Sequence, residues 1–347
     1  MPQVLALTQP DQFERYADFG AQVYQGNPCW APPHREHLLD ELHRRVPQAE
    51  YSDIQPFWIE RDGAVAAVAT AVIDRLYNEH WNEQVGHILL FEALPRRDEE
   101  AAELLRAVCG WFRDRGCRAA RLGYLPGWQL PLTIDACDQV PTCFHGFNPP
   151  YYHNYVKNAG FYTERGCVEY RTQFTIELAA GYHDIVRRAR HAGVLFRPWD
   201  FSRLESETTL FTTLTNDTFA GHWGMPPFPE PVLSTLTIGL RDALVPEFCW
   251  FAEVAGEPAG FVYSLPDLNQ PEGGHGVLLI IGVREAYRGR GVNLGLAASS
   301  YLAMIDRGYR SASYTIVLDD NWPSRRTAEK LGCRIERNFV IYRRDLR

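Results

Sequence analysis

Hydrophobic positions along the chain follow helical and strand periods in turn. Residues 277–283 form an uninterrupted apolar run, typical of a strand buried on both faces. Small and apolar residues at 294–302 then predict a helix. Apolar runs joined at Asp62-Gly63 and at Ala255-Gly256 predict two hairpins. Helical spacing predicts further helices over residues 10–24, 34–45, 101–115, 202–219 and 231–244.

The turn after the buried strand, residues 288–293, carries two glycines and two arginines. Glycine permits positive φ, so successive N–H groups can converge on one anion, to which the helix dipole and the arginines add positive charge. The turn therefore predicts a phosphate site. An ordinary strand–turn–helix joint and a dinucleotide-binding turn are the alternatives. The second is disfavoured because residues 284–287 separate the strand from the first glycine and because too little chain follows for a doubly wound sheet.

The chain contains an internal repeat, since similar segments occur in the same order in both halves. The matched segments are residues 114–120 with 306–312, residues 160–171 with 332–343, and Gly86-His87 with Gly274-His275. An insertion at residues 124–148 of the first copy separates its matches. We therefore expect a duplicated domain.

We expect the two domains to be residues 1–180 and 181–347, with a phosphate site only in the second. At the position of the glycine turn the first copy has residues 92–100, which contain no glycine. Residues 98–100 are three carboxylates at the start of a predicted helix, where they satisfy the helix dipole and repel phosphate. The first domain is therefore predicted to be a degenerate copy without a phosphate loop.

Composition limits the class of protein. The 347 residues are 46% hydrophobic and 22% charged, which is typical of a soluble globular protein. The net charge of −8 argues against a nucleic-acid or anionic-membrane surface. The eight cysteines have no C-x-x-C spacing, and no His/Cys cluster has metal-ligand spacing, so no metal site is expected. No apolar run is as long as a membrane span and the first residues do not resemble a signal peptide, which predicts a cytoplasmic protein.

The glycine turn also resembles a known motif. The run Arg288-Gly289-Arg290-Gly291-Val292-Asn293 is similar to the R/Q-x-x-G-x-G/A pyrophosphate loop of the GNAT acyltransferase superfamily, although Asn293 replaces the usual Gly or Ala. Val283 matches the valine that ends that family's fourth strand. Nearly the whole chain resembles tandem GNAT proteins of bacteria, through the motifs Gly26-Asn27-Pro28-x-Trp30-x-Pro32-Pro33, Asn148-Pro149-Pro150-Tyr151-Tyr152, Leu265-Pro266-Asp267-Leu268-Asn269-Gln270 and Asp320-Asn321. The resemblance implies an α/β fold (α+β mixed sheet) of two tandem GNAT-like domains, each a twisted mixed sheet flanked by helices.

The resemblance implies acetyl-CoA or another acyl-CoA as the cofactor, bound by the second domain. In the family, pantetheine pairs with the fourth strand where it splays from the fifth, a role that falls here on Ile281 and Val283. Asn321 matches an asparagine that often contacts the cofactor, and it could equally cap the next helix. The pyrophosphate would be held by the loop residues Arg288, Gly289, Arg290, Gly291, Val292 and Asn293, whose arginines could instead lie in a solvated turn.

The groups that perform the chemistry are less well defined. Many relatives place a tyrosine seven residues after that asparagine to protonate the leaving thiolate, and this chain has Ala328 there. Tyr314 and Cys333 are candidate substitutes, although Cys333 occupies a position that is usually apolar core. A base must accept the proton of the attacking amine. The candidates are Asp267, Asp320, His222 and His275, of which His275 is favoured as structural because of the Gly-His repeat.

Together these features predict an N-acyltransferase that moves an acyl group, expected to be acetyl, to an amine of a small molecule or peptide by direct attack. Ala328 and Asn293 keep a second hypothesis open, a non-catalytic acyl-CoA-binding sensor or scaffold. Aminoacyl transfer from charged tRNA is disfavoured by the phosphate loop and the acidic balance. No nucleic acid or membrane partner is expected, and homodimer formation stays open. An acceptor cleft between the domains, or more commonly a core, could be lined by Tyr77, Trp81, Phe147, Tyr151 and Tyr152.

Overall fold

The computed structural model describes residues 2–129 and 131–347, which form two compact units. The first unit contains the chain up to Gly166 together with Phe339–Arg347, and the second contains Cys167–Asn338. This division differs from the boundary predicted after residue 180. The reason is that the last strand of each repeat completes the sheet of the other unit.

The first unit begins with a strand and three short helices, followed by a strand-rich segment. Its elements in chain order are β1 (Gln3–Ala6), α1 (Pro10–Ala17), α2 (Phe19–Val23), α3 (Arg35–Leu42), β2 (Ser52–Arg61), β3 (Ala64–Asp74), α4 (Arg75–Trp81), β4 (Val85–Ala93), α5 (Asp98–Arg113), β5 (Ala119–Leu122), β6 (Leu132–Thr133) and α6 (Tyr152–Asn158). Strand β7 (Tyr162–Gln173) starts in this unit and continues into the second.

The second unit repeats the succession of strands and helices. Its further elements are α7 (Ile176–His191), β8 (Val194–Pro198), α8 (Leu204–Phe219), α9 (Glu230–Gly239), β9 (Trp250–Val254), β10 (Glu257–Pro266), β11 (His275–Val283), α10 (Val292–Asp306), β12 (Ser311–Leu318), α11 (Trp322–Lys330) and β13 (Arg334–Asp345). The residues of β13 from Phe339 onward belong to the first unit. None of the helices in the described residues is both long and apolar enough to span a lipid bilayer.

Each unit is built on a mixed sheet with the same topology. The strand order is β1-β2-β3-β4-β5-β13 in the first unit and β7-β12-β11-β10-β9-β8 in the second. Strands β4 and β5 run parallel, as do β11 and β12, whereas the other neighbouring strands within these two orders are antiparallel. The predicted architecture of two tandem units, each a mixed sheet flanked by helices, is confirmed.

Helices α5 and α10 connect the parallel strands and cover one face of their sheets. Leu104, Val108 and Phe112 recur at helical spacing on α5 and are buried in the first core. Leu296 and Met304 occupy the second core in the same way from α10. Burial of these apolar stripes is what fixes each helix on its sheet.

The structure corrects one element of the internal repeat. Gly86 pairs with Ala120 across β4 and β5, and Gly276 pairs with Ala312 across β11 and β12. The counterpart of Gly86 is therefore Gly276 and not Gly274. A Cβ at Gly86 or Gly276 would lie 2.2 or 2.3 Å from a side chain of α5 or α10. Only glycine allows these helices to pack so closely on their strands.

Both predicted hairpins are present. Asp62 and Gly63 have φ values of 55° and 80°, and Ala255 and Gly256 have 54° and 83°, as two-residue hairpin turns require. The helix predicted over residues 10–24 is divided into α1 and α2. Helix α7, which packs in the second core, was not predicted.

Candidate functional site

Strand β11 separates from β12 halfway along its length. The two strands pair only as far as Leu278, opposite Tyr314, after which β12 continues beside β7. On its other side β11 stays paired with β10 up to Val283. One backbone edge of residues 280–283 is therefore not covered by a strand of the described chain. The predicted pantetheine-binding residue Ile281 lies at this edge, together with Val283.

The turn that follows leads into a helix N-terminus without a side-chain cap. Gly289 and Gly291 have φ values of 78° and 79°, in the left-handed region that favours glycine. Gly291 is the N-cap residue of α10, so it brings no side chain to the first N–H groups, among them those of Val292 and Asn293. An anion placed there would gain these donors and the helix dipole. The turn therefore has the uncapped N–H groups that the predicted phosphate site requires, and phosphate binding there stays a prediction.

The two arginines of the turn are placed differently. The Arg288 guanidinium donates from Nε to the Val283 carbonyl at 3.2 Å and from Nη2 to the Thr218 carbonyl at 3.4 Å. It therefore ties the turn to the end of β11 and to α8. Arg290 is exposed, with its guanidinium carbon 5.8 Å from the centre of the Tyr287 ring. Both arginines are exposed, but Arg288 is already hydrogen-bonded to the protein, so Arg290 is the better placed to meet a charged ligand from solvent.

Asn293, the residue that departs from the family pattern, turns its side chain towards α11. Its Nδ2 donates to the Thr327 hydroxyl at 3.1 Å, and that hydroxyl donates to the Pro323 carbonyl at 3.0 Å. The amide therefore links the first turns of α10 and α11. Because the Asn293 side chain is turned towards α11, its size does not by itself block a ligand from the backbone N–H groups of the glycine turn.

Tyr314 lies where β11 and β12 separate, and its hydroxyl is 3.2 Å from the Ser324 hydroxyl. Burial raises the pKa of Tyr314 to about 12, against an opposing effect from hydrogen bonding to Ser324, Asn293 and Thr327. Ala328, which occupies the position of the family's tyrosine, is fully buried in the core. The structure thus brings a phenol close to the glycine turn from a strand and not from the helix.

Asn321 is confirmed as the cap of α11, because its Oδ1 accepts a hydrogen bond from the Ser324 N–H at 3.3 Å. Asp320 precedes it and is exposed. Since β11 and β12 are parallel, Asp320 lies at the same end of the sheet as the glycine turn. Of the predicted acidic residues, it is the one that the fold places at this end.

Asp267 and His275 lie at the opposite end of β11. Asp267 is fully buried and accepts hydrogen bonds from the Asn269 N–H at 3.1 Å and the Gln270 side chain at 3.3 Å. His275 is 3% exposed, with Nδ1 2.8 Å from the Ser311 hydroxyl. The structure therefore does not bring the predicted base Asp267 together with the glycine turn. It gives His275 a buried, hydrogen-bonded position, although its first-copy counterpart by register is a valine.

The remaining two candidates are also located. His222 follows α8, where its ring meets the edge of the Phe219 ring at 5.5 Å. Cys333 is buried, and its sulfur is 3.8 Å from the Tyr301 hydroxyl. Burial raises the pKa of the Cys333 thiol to about 12. The interpretation of Cys333 as a core residue is confirmed.

The same region of the first unit is occupied by side chains. Strand β4 pairs with β5 only as far as Ile88, so these strands also separate. Beyond that point the Tyr152 hydroxyl accepts from the Ala93 N–H at 2.7 Å, and the Tyr151 hydroxyl donates to the Ala93 carbonyl at 2.9 Å. The Tyr155 hydroxyl donates to the Leu94 carbonyl at 3.2 Å. Tyrosines of α6 and its N-cap therefore satisfy backbone groups that a pantetheine chain would need.

Helix α11 carries small side chains where α6 carries tyrosines. The two helices end with equivalent hydrogen bonds, from Phe161 N–H to the Val156 carbonyl and from Cys333 N–H to the Ala328 carbonyl. When α6 and α11 are aligned on these bonds, two tyrosines of α6 correspond to a serine and a threonine of α11. The pairs are Tyr152 with Ser324 and Tyr155 with Thr327. These positions lie just before the matched segments 160–171 and 332–343, so the repeat in the sequence did not reveal the difference.

The acidic start of α5 has the predicted form. Asp98, Glu99 and Glu100 occupy its first turn, and Glu100 is paired with Arg61 at 2.6 Å. Of the aromatic residues considered for an acceptor cleft, Tyr77 and Tyr152 are buried in cores, whereas three are partly exposed: Trp81, Phe147 and Tyr151.

Comparison with known proteins agrees with this geometry. Residues 208–333 match the model of the acetyltransferase (GNAT) family. The chain is 24% identical over 377 aligned residues to the bacterial ceramide synthase of Caulobacter vibrioides, covering 99% of this chain and 97% of that protein. It is similar in fold to a tandem GNAT protein from the clavulanic acid biosynthesis pathway, with a TM-score of 0.60, 13% identity and coverage of 100% and 99% of the two chains. A GCN5-related N-acetyltransferase from Sphaerobacter thermophilus gives a TM-score of 0.59 at 15% identity, with coverage of 100% and 96%.

Proposed function

We propose that this chain, which carries a GNAT acetyltransferase domain over residues 208–333, transfers an acyl group from acyl-CoA to a primary amine. Proteins of this family generally bind acyl-CoA. We expect acetyl-CoA or another acyl-CoA as the donor and an amine of a small molecule or peptide as the acceptor, without a nucleic acid or membrane partner. The relative named bacterial ceramide synthase supports transfer to an amine, since a ceramide is an amide.

One observation carries the proposal: the uncovered edge of β11 is followed, after the short turn at residues 284–291, by the uncapped N-terminus of α10. The edge offers backbone hydrogen bonds to a pantetheine chain, and the helix N-terminus offers them to a pyrophosphate. The equivalent gap in the first unit is filled by tyrosines. We therefore assign acyl-CoA to the second unit, with Ile281, Val283 and the loop 288–293 as its contacts.

The chemistry follows from where the thioester would lie. A neutral amine attacks the thioester carbon, and an N–H of the uncovered β11 edge stabilises the developing oxyanion. An alkylamine has a pKa near 10.4, so a base is needed at neutral pH. We assign this role to Asp320, acting through a chain of water, because it is exposed, whereas Asp267 is fully buried at the opposite end of β11. Tyr314 donates a hydrogen bond to the departing sulfur, and Asn321 orients α11 as its cap.

The test combines a binding and a turnover measurement. Coenzyme A binding is measured by calorimetry, and thiol release is followed with acetyl-CoA and longer acyl-CoA donors against a panel of amines. For Arg290→Glu we expect roughly tenfold weaker binding at low salt, because an exposed positive charge near the pyrophosphate becomes negative, and a smaller effect at high salt. Arg106→Glu, an equally exposed change on α5 of the first unit, is the matched control and should leave binding unchanged.

Three results separate the hypotheses. Coenzyme A uptake that Arg290→Glu weakens, together with amine-dependent thiol release, supports the transferase. Coenzyme A uptake without thiol release from any pair of donor and amine favours an acyl-CoA sensor. Ala328, where many relatives have a tyrosine, leaves that hypothesis open. Absence of coenzyme A uptake by the unaltered protein overturns both.

A further inference from the structure

Three polar atoms on uncharged side chains of the second unit are buried without a hydrogen-bond partner among the described residues. They are Trp199 Nε1, Thr237 Oγ1 and the Tyr263 hydroxyl, on side chains that are 2%, 0% and 1% exposed. Buried polar groups in native proteins are nearly always paired, because an unpaired one loses its hydration without compensation. The first unit also contains such atoms, for example Trp58 Nε1, so the number alone indicates nothing. The position of these three groups, close together and beside β11, is what suggests a partner from outside the fold.

The three groups lie together in an aromatic environment. The rings of Trp199 and Tyr263 are 5.5 Å apart. Burial raises the pKa of Tyr263, and the Thr237 hydroxyl is close enough to oppose that rise, yet neither hydroxyl reaches hydrogen-bond geometry. Phe251 stacks on Trp199 at 5.0 Å and Phe211 stacks on Tyr263 at 5.2 Å. The result is a small polar cluster, which we call the Trp199 cluster, walled by apolar rings.

The Trp199 cluster is next to the place where the thioester would lie. Tyr263 pairs across β10 and β11 with Ile280, the first residue of the uncovered edge. Cross-strand partners share one face of a sheet. Gly282 lies on that face too, since a Cβ added to it would be 2.5 Å from the Thr218 hydroxyl of α8. The cluster therefore faces the acyl end of the proposed cofactor site from the α8 side.

We propose that Trp199, Thr237 and Tyr263 bind a neutral oxygen, a hydroxyl or carbonyl, next to the reactive amine of the acceptor. This rests on the proposed function, because it places the acceptor beside the thioester. The indole can only donate, and the two hydroxyls can donate or accept, which suits an oxygen with two lone pairs. Since all three groups are shielded from solvent, α9, which carries Thr237, must open to admit the acceptor.

The charge around the cluster selects against acidic acceptors. The nearby cation is Arg197, whose guanidinium lies 4.8 Å from the centre of the Phe251 ring. It is already bound to Glu207 at 2.8 Å and to Glu253 at 3.2 Å. A carboxylate bound among these aromatic rings would therefore meet an arginine that two glutamates already neutralise, which is unfavourable. The expected acceptors are amino alcohols or amino ketones with an apolar remainder.

The test uses acceptors that differ in one group: a 1-aminoalkane, the 2-amino-1-alkanol of equal chain length, and the matching α-amino acid. The unaltered protein should prefer the amino alcohol at least tenfold in kcat/KM over the alkylamine, with the amino acid poorest. Tyr263→Phe and Thr237→Val should each lower kcat/KM for the amino alcohol roughly tenfold and leave the alkylamine within about twofold.

Stability separates a binding role from a structural one. Tyr263→Phe removes an unpaired hydroxyl and should leave Tm unchanged or raise it. The control Tyr182→Phe removes a hydroxyl that donates to the Leu331 carbonyl at 2.7 Å, so it should lower Tm without changing acceptor preference. A lowered Tm in Tyr263→Phe with unchanged preference overturns the inference.

The outcomes also distinguish this inference from the proposed function. If the Trp199 cluster variants alter no preference while thiol release continues, for example because the cluster holds a water, only the inference fails. If no amine supports thiol release, the proposed function fails. In that case, binding of the amino alcohol to the coenzyme A-loaded protein is measured by calorimetry, with the unaltered protein and with Tyr263→Phe. If the amino alcohol does not bind, or binds equally to both, the inference is overturned as well.

Discussion

Tyr314 contributes a phenol at the point where the two parallel strands of the second unit separate. Burial raises its pKa to about 12, so the hydroxyl keeps its proton throughout the neutral range. A thiolate, with a pKa near 8.5, is a weaker base than the tyrosinate that full proton transfer would create. In the proposed reaction Tyr314 therefore assists departure of the thiolate by donating a hydrogen bond and keeps its own proton. The proton that the amine loses to Asp320 through water finally protonates the thiolate.

For Tyr314→Phe we expect kcat to fall about tenfold to a hundredfold with a small change in KM for acyl-CoA, since the lost hydrogen bond strengthens as charge grows on sulfur. The loss should shrink with an aryl thioester donor, whose thiolate needs less help. The shape of the kcat profile between pH 6 and 9 should stay the same, because the removed group titrates above that range.

Tyr301→Phe is the control, as this buried tyrosine of the same unit bonds only core groups, the Ser313 carbonyl and the Cys333 sulfur. An equal loss of kcat with alkyl and aryl thioesters in Tyr314→Phe would remove Tyr314 from the leaving-group step.

At the same scale, the sequence could predict which residues form the turn but not where their side chains point. The glycines of residues 288–293 have the positive φ that their identity suggested. Arg288, however, donates hydrogen bonds to two backbone carbonyls, and the Asn293 side chain donates to the Thr327 hydroxyl on another helix. Such contacts depend on tertiary neighbours far apart in the chain, which local patterns do not specify.

At the scale of elements, segments with strong periodicity were predictable and segments shared between units were not. The two hairpins and the helices α5 and α8 follow from alternation and helical spacing. Strand β13 carries charges along much of its length and is buried mainly from Phe339 onward. Its sequence pattern resembles that of a polar segment, because the residues up to Asn338 are mostly exposed and those from Phe339 onward are mostly buried in the first unit. The Trp199 cluster was not predictable for a similar reason, since its members come from three separate segments of the chain.

The contrast between α6 and α11 gives the prediction at this scale. Thr327→Tyr places a phenol at the position of Tyr155, whose hydroxyl satisfies backbone groups of the first unit. We expect coenzyme A binding to weaken more than tenfold in calorimetry, because the tyrosine would occupy the gap beside β11. Arg326→Tyr, an exposed change on the same helix, should leave binding unchanged. Unweakened binding by a folded Thr327→Tyr protein would contradict the assignment of the gap to the cofactor.

At the scale of the molecule, neither unit is built from a single repeat of the sequence, because the sheet of each unit includes the last strand of the other repeat. Tyr170 of β7 and Tyr342 of β13 occupy equivalent places in the repeat, yet Tyr170 is buried in the second core and Tyr342 in the first. Duplication predicted two units of one fold, but similarity between copies cannot tell which copy of a strand joins which sheet. Either pairing satisfies the same sequence pattern, so the exchange could be found only in the structure.

The exchange of the last strands predicts that a substitution in the last strand of one repeat destabilises the unit that contains most of the other repeat. Tyr342→Ala should cost roughly 3–5 kcal/mol, as for other large buried aromatics, and the damage should appear in the first unit although the residue lies at the end of the chain. Hydrogen exchange should then show lost protection in β4, β5 and α5, with coenzyme A binding retained. Tyr170→Ala should instead reduce hydrogen-exchange protection in β12 and α10. It should also weaken coenzyme A binding, since Tyr170 pairs with Tyr314 across β7 and β12. If each substitution loosened the unit nearest to it in sequence, each sheet would have to be closed by its own repeat, and the boundary would move to residue 180.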